Sequence, residues 1–95
     1  MNLQTLLDKD AIGGGVHQLF VGTDDRDWTA VRAALAPRLH VDMTSVAGGE
    51  PSEIEGTELA AMWETGLRPI QAVHHQTGNL RIAVEGDVAA AACYG

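Results

Sequence analysis

The sequence predicts an α+β domain with helices first and an antiparallel meander last. Three observations carry that prediction. Apolar residues recur at helical spacing between residues 12 and 35 and again between 59 and 67. Apolar and polar residues alternate cleanly in "LRIAVE", residues 80–85. Gly86-Asp87 then separates that stretch from a last apolar run, a hairpin signature.

Composition narrows the class. Ninety-five residues are read as a single domain, 1–95, able to bury roughly two-thirds of its unfolded surface. Hydrophobic residues make up 45%, enough for a globular chain. Six Lys and Arg against thirteen Asp and Glu leave a formal charge of -7. An acidic surface repels phosphate backbones and anionic lipid, so neither nucleic acid nor a membrane is expected as partner. No apolar run approaches a membrane span, and "MNLQTLLDKD" lacks a signal pattern. The lone Cys93 has no disulfide or CxxC companion, which fits a reducing, cytoplasmic setting.

The first helix is read in "DKDAIGGGVHQLFVGT", where Ile12, Val16, Leu19, Phe20 and Thr23 form one stripe. Gly13, Gly14 and Gly15 oppose it at roughly 1 kcal/mol each, so the helix either starts after them or relies on packing. "GGG" is no phosphate loop: no strand precedes it, and the GxGxxG spacing and P-loop lysine are absent. "DDRDW" is a helix-to-helix turn with Asp27 as N-cap of a second helix. Trp28, Val31, Ala34 and Leu35 supply that helix's apolar side, and Pro37 ends it.

"LHVDM" reads as a short strand and "VAGGEPSEIEG" as a loop. A third helix runs from about Thr57 with Leu59, Met62, Trp63 and Leu67 at helical spacing, before Pro69. Three strands follow: "IQAVHHQ", a "TGN" turn, "LRIAVE", and "VAAAACYG" after Gly86-Asp87. The expected core is Ile12, Val16, Leu19, Phe20, Trp28, Val31, Leu35, Met62 and Trp63. Adjacent strand residues point to opposite faces, so at most one of His74 and His75 can look inward.

The motifs "TDDRDW", "VDMTS", "EGTELAAMWE", "HHQTGN" and "VEGDVAAA", in this order, resemble the SnoaL-like branch of the nuclear transport factor 2-like superfamily across the whole chain. The resemblance implies a curved antiparallel sheet wrapped by N-terminal helices into a cone (a cystatin-like α+β roll) around an apolar pocket. It also implies further strands beyond this chain, so the fold is expected to be incomplete at its C-terminus. Cys93 and Tyr94 would then lie at an open edge that a second copy covers, making a homodimer through the sheet.

Within the branch, the chain is most similar to the scytalone dehydratase group. That resemblance assigns catalytic roles to Asp24, in the turn before "DW", and His75, four residues before Asn79. His75 would then face the pocket with Gln71 and Val73, and His74 would take the other face. Phe20, Thr23, Met43, Trp63, Val73 and Tyr94 are the candidate substrate-binding residues. The departures are equally specific. The last strand has no second catalytic histidine, Thr23 and Met43 stand where pocket tyrosines would be, and Asp42 is one residue from the isomerase base position, held by Met43.

An Asp–His pair is an acid–base device: the carboxylate fixes the imidazole tautomer and the imidazole moves a proton near neutral pH. A carboxylate at a helix C-terminus opposes the dipole, which should raise the Asp24 pKa. The plainer alternatives are a turn-capping aspartate and a half-buried strand histidine. No metal site is expected, since His74 and His75 cannot share an ion from a regular strand, and no cofactor is implied. Two functions remain open: a cofactor-independent lyase or isomerase acting on a hydrophobic hydroxylated or carbonyl compound, or a non-catalytic binding or dimerisation module.

Overall fold

A computed structural model describes residues 2–95. The first helix, α1 (Leu3–Asp24), is longer than its apolar stripe and passes straight through the glycines. Asn2 starts it, its side chain accepting the Thr5 N–H at 2.8 Å. Once nucleated, a helix gains one backbone hydrogen bond per residue, which offsets part of the glycine cost. The remainder is offset by packing on a strand, β3 (Gly78–Glu85), whose Leu80 and Ile82 methyls lie over Gly13. Ile12, Val16, Leu19 and Phe20 are half-buried along that stripe, and Thr23 is buried.

The end of α1 is sharp. Asp27 N–H donates to Gly22 O at 2.8 Å and Arg26 N–H to Thr23 O at 3.1 Å, the paired bonds of a Schellman motif. Arg26 occupies the left-handed position at φ +57°, where glycine is usual. Asp27 then caps α2 (Trp28–Ala34), accepting from Ala30 N–H at 3.2 Å, as the sequence predicts. Gly22 allows the close crossing: a Cβ there would sit 3.1 Å from Val31 Cγ2.

β1 (Arg38–Val41) pairs antiparallel with β2 (Ser52–Glu55), joined by the one-turn α3 (Thr44–Ala47). The expected strand ends early because Asp42 turns to accept both the Thr44 N–H and its hydroxyl. Part of the expected loop is thus strand. "SEIE" holds one apolar residue and becomes a strand only through pairing, Leu39 opposite Ile54 and His40 bonded to Glu53 at 2.8 Å. α4 (Gly56–Leu67) follows, and Gly56 N–H donates to Pro37 O at 3.1 Å.

β3 pairs antiparallel with β4 (Val88–Tyr94) through the two-residue Gly86-Asp87 turn, with Gly86 at φ +58°. The predicted strand "IQAVHHQ" does not form: residues 72–77 have no regular structure. Nor is "TGN" a hairpin turn. Asn79 at φ +52° sits in a register irregularity between Gly78 and Arg81, and Gly78 before it still pairs with Tyr94. The described strands therefore form two separate two-stranded sheets in a mixed α+β fold, in place of one curved sheet.

The buried apolar centre among the described residues is Val31, Leu59 and Ala60, where α2 meets α4. Trp28, Leu35 and Trp63 are half-buried around it. Met62 is a correction, being 58% exposed. It is rotated about 100° from Trp63 around the helix, off the face that Leu59 presents to α2. The extents of 46 × 28 × 23 Å describe an elongated body, which keeps the centre small.

Candidate functional site

Asp24 is the last residue of α1, and its side chain is 16% exposed. The irregular segment before β3 brings His75 to it in two ways. The His75 backbone N–H donates to Asp24 Oδ2 at 2.8 Å, and the His75 ring Nδ1 lies 2.5 Å from Asp24 Oδ1. The backbone bond fixes the carboxylate, and the carboxylate fixes the ring. With Nδ1 carrying the proton toward Asp24, Nε2 holds a free lone pair and has no hydrogen-bond partner among the described residues. Phe20, one turn before Asp24, lies beside the imidazole with ring centroids 5.5 Å apart and planes tilted by 32°.

His74 stays largely outside, in keeping with the expectation that at most one histidine faces inward, although its ring lies near the same carboxylate. His74 Nδ1 is also directed to the Asp24 carboxylate, at 3.9 Å from Oδ2, with its side chain 75% exposed. Strand alternation governs a paired strand, and this segment is unpaired, so neighbouring side chains can share a side. For the same reason Gln71 and Val73 are not held on a common face with His75; Gln71 is exposed and Val73 half-buried.

The expected rise in the Asp24 pKa is likewise overturned. Partial burial does push it up, but the His75 N–H, the His75 ring and the charge of both imidazoles together hold it below the ordinary carboxylate value. Asp24 is thus an anionic anchor at neutral pH.

The other expected site residues are dispersed. The Thr23 hydroxyl is turned inward, donating to Leu19 O at 2.8 Å. Met43 precedes α3 and is more than half exposed, and Trp63 is half-buried on α4. Tyr94 ends β4 and lines an open cleft of about 480 Å³ with Gln76, Thr77, Gly78 and Gly95. A second open cleft, of about 300 Å³, lies between α1 and the β3–β4 turn beside Asp8 and Asp87. Neither cleft is lined by Asp24 or His75, so the pair does not share an enclosed cavity with Tyr94. Among the described residues no cluster of three metal-ligating side chains is present, and no helix is long and apolar enough to cross a membrane.

One residue was missed by sequence reasoning. The Arg26 guanidinium donates to Leu67 O at 2.9 Å and also to Ile70 O. The missed signal is the arginine inside "TDDRDW", a cation in a turn that otherwise carries acids.

The chain has a mixed α+β fold with an Asp–His pair held between a helix end and the entry to a sheet. The chain is matched over residues 4–95 by the model of the SnoaL-like domain, and it belongs to that family, within the nuclear transport factor 2-like superfamily. Compared with curated proteins and with solved structures, it finds no match.

Proposed function

We propose that the protein is a SnoaL-like small-molecule protein in which His75 is a general acid–base group and Asp24 its anionic partner. The reaction is dehydration, or proton abstraction next to a carbonyl, on a hydrophobic hydroxylated or carbonyl compound. The single observation supporting this is the double contact of His75 with both oxygens of one carboxylate. His75 Nε2 takes the α-proton, the C–H electrons enter the carbonyl system as an enolate, and Asp24 stabilises the imidazolium. For a β-hydroxy compound, the imidazolium returns the proton to the leaving hydroxyl. Water departs, a C=C bond remains, and the imidazole is neutral again. No cofactor enters these steps. Phe20 supplies an apolar wall beside the ring.

The reading includes a homodimer through the sheets, in a reducing cytoplasm. The outer edges of β3 and β4 have no strand partner among the described residues, and Val88 and Tyr94 are exposed there.

The test is incubation with a panel of hydrophobic ketones and β-hydroxyketones in D2O, followed by NMR. Deuterium at the α-carbon or alkene formation, lost in His75→Gln and reduced in Asp24→Asn, is the expected result. A second reading, a non-catalytic binding module, is favoured by the lining of both clefts, which includes neither Asp24 nor His75. It predicts ligand-induced shifts at His75 with no exchange.

A further inference from the structure

We infer that Arg26 is a positioning residue for the Asp24–His75 pair, tying the end of α4 to the turn that carries Asp24. The inference rests on the reading of that pair as the functional site.

The argument begins with two segments that meet twice. Asp24 and Arg26 are two residues apart in one turn. The carbonyls that Arg26 holds, Leu67 and Ile70, precede His75 in one stretch of chain. Arg26 therefore fixes where the stretch begins its run, and Asp24 fixes where it ends. Between them lies chain with no regular structure and no ladder to hold it.

Arginine suits this role for three reasons. Its planar fork places two separate nitrogens on two carbonyls in a fixed geometry, whereas a lysine offers one flexible nitrogen for both. Its charge sits at the C-terminal end of α4, where the helix dipole favours a cation. Among the described residues it has no carboxylate within ion-pair distance, so its hydrogen bonds go to these carbonyls rather than to a neighbouring acid. The backbone adds an independent observation. Arg26 holds the left-handed Schellman position that favours glycine, at φ +57°. A non-glycine residue at this strained position carries a backbone cost that the two side-chain hydrogen bonds offset.

The experiment compares the full chain with Arg26→Gly, Arg26→Met and Arg26→Lys. Glycine relieves the backbone while deleting the guanidinium, so it separates positioning from turn stability. The readouts are the His75 ring tautomer from nitrogen-15 shifts, and the His75 amide shift followed into acid, where it reports protonation of Asp24. In the unaltered chain the ring is the Nδ1–H tautomer and the amide follows Asp24. In Arg26→Gly and Arg26→Met the helical circular dichroism persists, the tautomer moves to the solution mixture and the amide loses its link to Asp24. Arg26→Lys rescues in part. Retention of both signals in Arg26→Gly overturns the proposal, as does global unfolding of that variant, which would make Arg26 a folding residue. Absence of both signals in the unaltered chain would instead sink the pair itself.

Discussion

Asp24 receives His75 twice: backbone N–H on Oδ2 at 2.8 Å and ring Nδ1 toward Oδ1 at 2.5 Å. A carboxylate engaged on both oxygens by one residue 51 positions away closes a long loop and orients a proton-carrying ring in the same step.

Acid should weaken the fold through this contact. The Asp24 pKa is lower folded than unfolded, so the unfolded chain binds more protons as pH falls below the ordinary carboxylate value of 3.8. Its stabilisation is complete above that value and is lost as pH drops through the folded pKa. Asp42 shares the sign, held low chiefly by the Thr44 hydroxyl. Urea midpoints measured from pH 7 to about 2 should fall less steeply in Asp24→Asn than in the unaltered chain, and Asp42→Asn should flatten the limb in the same direction. Equal slopes would mean that Asp24 contributes nothing to the acid limb.

Gly56→Ala should be costly. An added Cβ would collide with the Ala36 carbonyl and lie 3.1 Å from Leu35 Cβ, both on backbone that cannot swing away. Overpacking of this kind costs about 1–3 kcal/mol. A melting temperature unchanged from the parent would place the α4 start elsewhere.

Gly14→Ala should act in the opposite direction. Gly14 lies inside α1 with nothing within 4 Å of a new Cβ, so alanine adds propensity without a clash. Stabilisation of roughly 1 kcal/mol is expected in chemical denaturation. A loss would show that the glycine is needed for a contact.

Core truncations should grade with burial. Val31→Ala, at 0% exposure, should cost about 1.5–3 kcal/mol. Phe20 and Trp28 are half-buried, so each should lose less than the roughly 3–5 kcal/mol of a fully enclosed aromatic. Met62→Ala should stay within about 0.5 kcal/mol, as exposed positions do. The ranking Val31 above Met62 is the decisive comparison.

Much of this protein is set by local chemistry. The stripe of Ile12, Val16, Leu19 and Phe20, the Asp27 cap, the helix carrying Leu59 and Trp63, and the Gly86-Asp87 hairpin all follow from short-range periodicity and turn preference. Their motifs in order were enough to point to the SnoaL-like family, and with it to Asp24 and His75 as a pair. Tertiary structure decided what depends on distant partners. "SEIE" is a strand because β1 lies beside it, whereas "IQAVHHQ" has no ladder partner and stays irregular. That loss of pairing freed both histidines to reach one carboxylate, and their contacts lowered a pKa that the helix end alone would raise. Arg26 was hidden for the same physical reason: its carbonyl partners lie more than 40 residues on, and a bond to backbone leaves no mark in the identity of the residues that accept it.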